Sequence, residues 1–393
     1  MFDLLIVIAA IVLMVILHEF GHFVMAKRSG MKVTEFFFGF GPRLWSFKRG
    51  ETTYGIKAIP AGGYVKIIGM SNVEEVDEKD EARSYRQQSF PKRLSVAVAG
   101  SVVHFLLALI MLWVLAVFVG LPNPAHVELA GFLRVSSRTS NPAKAGGLKV
   151  GDVFYSIDGH KITGSDQLAY LIGSHRGKRL SIQVITNDGR LENRSVTPIA
   201  AQDIIVNGRP LAQGSSGGKG ALGIVLTLEQ QRKNPFVAVP GAFEQLGSIT
   251  ASTVGGIGTV FSPHSIETLW SELSSSHAAT KAAASDTPRL MSIYGAVNLA
   301  TQAAKSGMAN LLFVLILINV FVGLINMFPM LPLDGGHVVI AVYERIRSRA
   351  GKSYHADVNK LLPLAYTLLS ILIILGLSVL YLDIRYPLAN PFH

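Results

Sequence analysis

Residues 4–22 of the chain read LLIVIAAIVLMVILHEFGH, an uncharged apolar run that leads directly into a His-Glu-x-x-His motif. The run Leu4–Leu17 has the composition of a membrane-spanning helix, and the spacing of His18 and His22 places both imidazoles on one face of that helix. Two such imidazoles can bind one metal ion while Glu19 stands beside it. Zinc bound in this way keeps positions for a third protein ligand and for water. The stretch therefore predicts a metal centre inside a membrane-spanning segment.

The composition agrees with an integral membrane protein. Hydrophobic residues make up 49% of the 393 residues, and charged residues only 16%. Three further apolar runs are long enough to cross a bilayer, so the predicted membrane-spanning helices are residues 1–25, 94–120, 307–334 and 362–383. The chain has no cysteine, which excludes disulfides and thiol chemistry. We therefore expect an α-helical integral membrane protein with soluble segments between its four spans.

Basic residues are concentrated in two of the segments between these spans. Residues 26–93 contain thirteen Lys or Arg, and residues 335–361 contain five against two acidic residues. The positive-inside rule places both segments in the cytoplasm, which puts residues 121–306, both termini and the tail 384–393 on the other side. Half of the 36 basic residues lie in these two segments, so the net charge of +10 indicates membrane orientation and contact with lipid rather than nucleic acid.

The predicted topology brings a carboxylate to the depth of the two histidines. The first span runs towards the cytoplasm, so His18 and His22 lie near its cytoplasmic end. The third span runs the same way and ends in Asn326-Met-Phe-Pro-Met-Leu-Pro-Leu-Asp334-Gly-Gly. A carboxylate at this depth is costly unless it faces a partner, and a metal ion is a suitable one. The alternative is that Asp334 caps the end of a helix at the interface.

The two motifs together resemble the site-2 protease family of intramembrane zinc metalloproteases. His-Glu-Phe-Gly-His in the first span and Asn-x-x-Pro-x-x-Pro-Leu-Asp-Gly in the third carry the resemblance, and the four-span order with one outer insert is similar to the bacterial RseP-like branch. The resemblance implies one zinc ion, with His18, His22 and Asp334 as its ligands. It also implies that Glu19 is the catalytic glutamate and that Asn326 holds substrate near the metal.

The start of the second span departs from the family pattern. The family commonly shows Gly-Pro-x-x-Asn-Phe there, whereas this chain has Gly-Ser-Val-Val-His-Phe over residues 100–105. His104 is either a supporting hydrogen-bonding residue near the metal centre or a histidine tolerated inside the bundle, and the sequence leaves both open. We do not assign it as a metal ligand.

Residues 52–68 read as two short strands around a Pro/Gly turn. This pattern resembles the membrane-associated β-hairpin of the family and lies in the predicted cytoplasmic loop. A substrate helix must unwind before its peptide bonds can be hydrolysed, and an unwound segment could add to the hairpin as an extra strand. The alternative is an ordinary cytoplasmic hairpin. The residues expected to pair with substrate are Gly62, Gly63, Tyr64, Val65 and Lys66.

A PDZ-type signature follows the second span. Residues 140–159 read SNPAKAGGLKVGDVFYSIDG, a helix start, a glycine turn, Gly-Asp, and a strand that ends in Ile-Asp-Gly. We expect an extracytoplasmic α/β PDZ domain over 126–200, with a helix over 168–172 and closing strands over 180–185 and 191–196. Such a domain either captures the end of a pre-cut substrate or excludes proteins with bulky outer domains, and we favour exclusion. Residues 201–306 are expected to be a linker with amphipathic helices, including an interfacial helix over 236–261.

These features predict an intramembrane zinc endopeptidase of a bacterial inner membrane, with its active site towards the cytoplasm. Glu19 is expected to act as general base on zinc-bound water, and Asn326 to donate to the oxyanion or the substrate backbone. The resemblance implies single-span substrates, such as anti-sigma factors or signal-peptide remnants after a prior extracytoplasmic cut. A transporter would more usually show repeated halves, which the sequence lacks. A PDZ scaffold over a dead core is disfavoured by the intact motif.

Overall fold

The computed structural model describes residues 2–70, 74–136, 140–206, 209–212, 218–260, 262–283, 289–348, 354, 356, 360 and 362–387. They divide into two compact units. The membrane unit comprises residues 1–115 and 236–393, and the sheet unit comprises residues 116–235. Residues 388–393 of the predicted tail, and most of residues 349–361, lie outside the described part of the chain.

The helices and strands are labelled in chain order. The helices are α1 (Phe2–Arg28), α2 (Glu78–Glu81), α3 (Phe90–Val114), α4 (Pro142–Ala145), α5 (Ser165–Ser174), α6 (Pro235–Val260), α7 (Pro263–Ser274), α8 (Ser276–Ala283), α9 (Ile293–Ser306), α10 (Met308–Asn326), α11 (Asp334–Arg347) and α12 (Leu362–Arg385). The strands are β1 (Val33–Arg49), β2 (Thr52–Ile67), β3 (Leu121–Phe132), β4 (Arg134–Val135), β5 (Val153–Ile157), β6 (His160–Lys161), β7 (Leu180–Ile185), β8 (Leu191–Val196), β9 (Ile199–Ala200), β10 (Ile204–Val206), β11 (Arg209–Pro210), β12 (Gly220–Ala221) and β13 (Ile224–Gln231). A π-helical turn over Leu115–Val119 continues α3.

Four helices are long and apolar enough to cross a membrane. They are α1, α3 with its π-helical continuation, α10, and α12 from Pro363 onward. The prediction of four membrane-spanning helices is therefore confirmed. Helix α6 is not among these four described helices; it contains Pro240 and Glu244. It occupies the stretch for which the sequence predicts an interfacial helix.

The core of the membrane unit is built around α3, which packs against both α1 and α10. Buried residues of α1 and α10, among them Met14 and Val314, meet buried alanines of α9. The backbones of α1 and α3 approach closely at the His-Glu-x-x-His motif, because a Cβ on Gly21 would lie 2.9 Å from the carbonyl oxygen of Ala99. Small residues allow such close packing between membrane helices, where van der Waals contact drives association. The motif is thus held tightly against α3.

The third span ends earlier than predicted. Helix α10 stops at Asn326, the chain runs through non-helical residues 327–333, and α11 begins at Asp334. The two prolines of this stretch explain the break, since each removes a backbone donor. Helix α11 occupies the start of what the sequence predicts as the loop 335–361. The turn is tight, because a Cβ on Gly335 would lie 2.3 Å from the carbonyl oxygen of Met327.

The sheet of the membrane unit differs from the predicted hairpin over 52–68. Within β2, the stretches on either side of Pro60 pair with β1 rather than with each other, and Phe37 of β1 pairs with both Tyr64 and Gly55. The physical reason is the aromatic, β-branched run VTEFFFGF at residues 33–40, which supplies a strand between them. The stretch Gly63–Ile67 pairs with β1 on one side, and no other described strand pairs with its second side.

The sheet unit contains an antiparallel sheet with the strand order β13-β3-β5-β7-β8, and β6 pairs with β5. Its core contains the fully buried side chains of Phe154, Leu168 and Ile182. Strands β7 and β8 have the bounds predicted for the closing strands, and α5 contains the predicted helix 168–172. The sheet extends beyond the predicted range 126–200, because β13 pairs with β3 and so belongs to the same unit rather than to a linker.

Candidate metal centre

The side chains of His18 and His22 on α1 and of Asp334 on α11 lie close together in the membrane unit. Nε2 of His22 lies 3.2 Å from Nε2 of His18 and 3.2 Å from Oδ2 of Asp334. Nε2 of His18 lies 3.4 Å from the same oxygen. Helix α1 supplies both imidazoles from one face, and the first residue of α11 supplies the carboxylate. Among the described residues, these three form the one cluster of histidine and carboxylate groups that could hold a metal ion.

The orientation of His22 is fixed from behind by α3. Its Nδ1 lies 2.8 Å from the carbonyl oxygen of Val96. A carbonyl oxygen only accepts hydrogen bonds, so Nδ1 carries the hydrogen, and in the neutral ring Nε2 presents a lone pair towards His18 and Asp334. A hydrogen bond on the far ring nitrogen is the usual way in which proteins orient a metal-binding histidine. His22 is thus held in the tautomer that a metal requires.

The carboxylate of Asp334 tests whether a metal fits this cluster. Its Oδ2 is buried and makes no hydrogen bond to the described residues, although Nε2 of His22 and Nε2 of His18 lie 3.2 Å and 3.4 Å away. Burial of such an oxygen without a donor is costly. Nitrogen and oxygen ligands of a tetrahedral zinc ion, at about 2.0–2.1 Å from it, lie about 3.3 Å apart. The three atoms match that spacing, so His18, His22 and Asp334 fit one zinc ion.

Helix α3 also leaves the space in which the imidazoles lie. A Cβ on Gly100 would lie 2.3 Å from Cε1 of His18 and 2.4 Å from Nε2 of His22. Real Cβ contacts are not this short, so any side chain at position 100 would displace the imidazoles. The close approach of the two imidazoles therefore explains why position 100, the first residue of the segment 100–105, is glycine.

Glu19 lies on the same helix, half-buried, with its side chain against β2. A Cβ on Gly63 would lie 2.9 Å from Cγ of Glu19, and the Val65 backbone lies beside the Glu19 carboxylate. The structure therefore brings the expected general base together with two of the five residues expected to pair with substrate.

The other three of those five residues face different partners. Gly62 has a φ of +131° and packs against the ring of Phe40. The Tyr64 hydroxyl donates a hydrogen bond to Glu35, and Nζ of Lys66 lies 3.6 Å from Glu74. Burial, together with Glu35, raises the pKa of the Tyr64 phenol above its ordinary value.

Asn326 is the last residue of α10, and its half-buried side chain makes no hydrogen bond to the described residues.

His104 is buried on α3, with its ring centroid 5.1 Å from that of His18. Its Nδ1 lies 2.9 Å from Oδ1 of Asn319, whose Nδ2 donates to the carbonyl oxygen of Leu315 at 2.8 Å. Because Oδ1 accepts, Nδ1 of His104 donates. His104 therefore links α3 to α10 beside the cluster.

The whole chain can be compared with known proteins. Residues 6–370 match the sequence profile of Peptidase family M50. The chain belongs to this family. Zinc metalloprotease Rip1 of Mycobacterium tuberculosis is 31% identical over 97% of this chain and 96% of its own length. Rip1 of Mycolicibacterium smegmatis is 29% identical over the same shares. A Clostridium acetobutylicum protein, whose name includes the words zinc metalloprotease, is 27% identical over 98% of both chains.

Membership of the M50 family confirms several predictions made from the sequence. The chain is a zinc metalloprotease of the site-2 type, with zinc as its cofactor. The four apolar helices make it a multi-pass membrane protein. The resemblance to the site-2 protease family is thus confirmed.

One residue beside the cluster of this M50 protease was missed by sequence reasoning. Asn319 is fully buried in the middle of α10, with apolar residues on both sides of it in the sequence. A polar side chain at membrane depth is rare and usually has a partner inside the bundle. That rule could have singled out Asn319, but its partner His104 is distant in sequence and only the structure identifies it.

Proposed function

We propose that the chain is an intramembrane endopeptidase that hydrolyses peptide bonds within transmembrane segments of single-span membrane proteins. Zinc would be held by His18, His22 and Asp334. The observation that carries this proposal is the mutual spacing of the three ligand atoms, 3.2–3.4 Å, within the unit that contains the four apolar helices. A hydrolytic centre among membrane-spanning helices suits a substrate that is itself a membrane span.

The catalytic roles follow from where the side chains lie. The chemistry that zinc supplies when bound is polarisation of a carbonyl group and acidification of water. Glu19, next to both histidines in sequence, takes the proton from the attacking water and returns it to the leaving amine. Asn326, whose amide is uncommitted among the described residues, donates a hydrogen bond to the oxyanion or to the substrate backbone.

Substrate binding is proposed at the side of the β2 stretch Gly63–Ile67 that pairs with no other described strand. An unwound transmembrane segment needs hydrogen-bond partners for its backbone, because lipid offers none. A strand edge supplies them by strand addition. The contact of Gly63 with the Glu19 side chain supports this site, because a segment bound there would run close to the general base.

The topology and the outer domain complete the proposal. We propose that both termini and residues 121–306 are extracytoplasmic, in a bacterial inner membrane, with the metal centre towards the cytoplasm. The sheet unit is proposed to be a PDZ-type domain that excludes proteins with bulky outer domains. The antiparallel sheet and the capping of α4 by Asn141, at the start of the signature, support a PDZ-type fold. Anti-sigma factors or signal-peptide remnants, left by a prior cut outside, are the proposed substrates.

The experiment that tests the proposed function is cleavage of a transmembrane reporter in detergent or vesicles by Glu19→Gln. We expect this variant to fold and to bind zinc as the unsubstituted protein does, and to lose cleavage by about a hundredfold or more. The matched control is Glu267→Gln, which changes an exposed glutamate of α7 and should cleave normally. Normal turnover by Glu19→Gln, or cleavage that persists after zinc is removed, would refute the mechanism.

A further inference from the structure

A buried ion pair joins the start of α3 to the far end of α11. Nη2 of Arg93 lies 2.5 Å from Oε2 of Glu344, and the two side chains are 10% and 3% exposed. Helix α11 packs directly against α3. The pair therefore fixes one helix to the other through a contact that excludes water.

The surroundings of the pair hold both charged groups in place. Oε1 of Glu344 accepts a hydrogen bond from the backbone amide of Ala356 at 2.6 Å. The guanidinium of Arg93 lies over the ring of Tyr85, 5.1 Å from its centroid, and the Tyr85 hydroxyl donates to the carbonyl oxygen of Arg93 at 3.2 Å. The Tyr85 ring in turn lies edge-on to His337 of α11, with the centroids 6.4 Å apart. Each group thus has a second partner that limits its movement.

Stability alone is a weak reason for such a pair. Removing two charges from water costs about as much as their attraction returns, and well-packed apolar side chains at the same positions are often as stable. Buried ion pairs are best attested as devices that specify one arrangement over others. The position of this pair indicates which arrangement that is.

Helix α11 carries Asp334 as its first residue, and Glu344 lies about 15 Å further along the same helix. The chain before Asp334 is a non-helical turn, so the location of its carboxylate depends on how α11 sits on α3. On α3, Arg93 and Val96 are one turn apart, and Val96 orients His22. Residues three apart on a helix share a face. One face of α3 therefore contacts both His22 and the helix that carries Asp334.

We propose that the Arg93–Glu344 ion pair is a positioning device for the third zinc ligand. It sets the rotation and the axial position of α11 on α3, and so brings Asp334 against His18 and His22. Arg93 and Glu344 are positioning residues that do not touch metal or substrate. This inference rests on the proposed role of Asp334 as a ligand.

The test compares the zinc affinity of Glu344→Gln with that of Glu272→Gln in the full-length protein, by competition between the protein and a chelator for zinc alone. Glu272 is a matched control, because it is a 5% exposed glutamate that faces a buried arginine, Arg289, at 3.4 Å and lies on α7. Since loss of a residue that orients a ligand typically weakens metal binding by about 10–100-fold, we expect the zinc Kd to rise at least about tenfold for Glu344→Gln. It should change less than about twofold for Glu272→Gln.

A second variant and a second readout keep the test decisive if Glu344→Gln folds poorly. Arg93→Lys keeps the positive charge but loses the planar group that lies over Tyr85, so its zinc Kd should fall between that of the unsubstituted protein and that of Glu344→Gln. The visible absorption spectrum of bound Co²⁺, which reports ligand geometry, should change for both variants and stay unchanged for Glu272→Gln. An unchanged zinc Kd in both variants, or an equal rise in Glu272→Gln, would overturn the proposal.

The same measurement on Asp334→Ala separates this inference from the proposed function. If Asp334→Ala binds zinc as well as the unsubstituted protein, the proposed ligand set is wrong. If Asp334→Ala loses zinc while Glu344→Gln and Arg93→Lys retain it, the ligand set stands and the positioning role of the ion pair fails.

Discussion

A Cβ atom on Gly100 would lie 2.4 Å from Nε2 of His22. The imidazole can therefore occupy its place only because residue 100 has no side chain. The helix that carries Gly100 also carries Val96, whose carbonyl oxygen fixes the tautomer of the same imidazole. Helix α3 therefore positions His22 in two ways: Val96 accepts a hydrogen bond from the imidazole, and Gly100 leaves space for it.

The first prediction is that Gly100→Ala impairs zinc binding. Alanine favours a helix by about 0.5–1 kcal/mol over glycine, but the overlap with two imidazoles costs about 1–3 kcal/mol, so the clash outweighs the gain. We expect the zinc Kd to rise by about tenfold or more. Gly376→Ala on α12, where a Cβ meets nothing within 4 Å, is the matched control and should bind zinc normally. Full zinc affinity in Gly100→Ala would show that the imidazoles can move aside.

The second prediction concerns the contact between β2 and the general base. A Cβ at position 63 would lie 2.9 Å from Cγ of Glu19 and 3.2 Å from the carbonyl oxygen of Phe37. Displacement of a catalytic group by about 1 Å can cost about a hundredfold in rate, so Gly63→Ala should lower kcat by about 10–100-fold. Zinc content should stay unchanged, because Glu19 is not a proposed ligand. Gly247→Ala, with open space around its Cβ, should leave kcat unchanged. A normal kcat for Gly63→Ala would show that the position of β2 against Glu19 does not affect catalysis.

The third prediction addresses the link between His104 and Asn319. Asn319→Leu leaves the buried Nδ1–H of His104 without an acceptor, so the free energy of unfolding should fall by about 1 kcal/mol. His104→Leu combined with Asn319→Leu removes both partners and should cost less than the sum of the two single changes. Zinc content should remain normal in all three variants. Loss of zinc at unchanged stability would instead make His104 a support of the metal centre.

The fourth prediction is a pH dependence that arises from Glu51, in the turn between β1 and β2. Two hydrogen bonds from Arg83, each 2.8 Å, and an ion pair with Lys27 hold the pKa of the Glu51 carboxyl at about 2, against an ordinary value of 4.5. A lowered pKa stabilises the fold above pH 4.5, and the stabilisation is lost as the pH falls towards 2.

Unfolding of the purified protein as a function of pH tests this assignment. The difference in unfolding free energy between the unsubstituted protein and Glu51→Gln should be largest above pH 4.5 and should shrink as the pH falls towards 2. A difference that stays constant across this window would mean that Arg83 and Lys27 do not stabilise the ionised carboxylate of Glu51.

The metal cluster could be predicted because two local patterns determine it. His18 and His22 share a helix face by their spacing, and the distribution of basic residues predicts that Asp334 lies at the same depth. Neither step needs knowledge of a tertiary contact. The sheet of the membrane unit was harder, because the run at residues 33–40 separates two stretches of β2 that look like neighbours in sequence. Helix α11 was missed because its first turn contains Gly335 and Gly336, which are poor helix formers.

The ion pair of Arg93 and Glu344 lay beyond sequence reasoning for a different reason. Each residue lies in a segment that the sequence predicts to be a basic cytoplasmic loop, where a solvated charge is the ordinary expectation. Only the packing of α11 on α3 removes water from both side chains. The hydrogen bond between Asn319 and His104 could not be predicted from the sequence either, because it joins two spans that are far apart in the chain.

The chain order of the cluster has a consequence for biosynthesis. The two imidazoles precede the carboxylate of the proposed ligand set by about 300 residues, so that carboxylate is synthesised only after the third span has been made. A nascent or truncated polypeptide thus carries an incomplete set of ligands. On the proposed ligand set, hydrolytic capacity therefore requires that the third span has already been made.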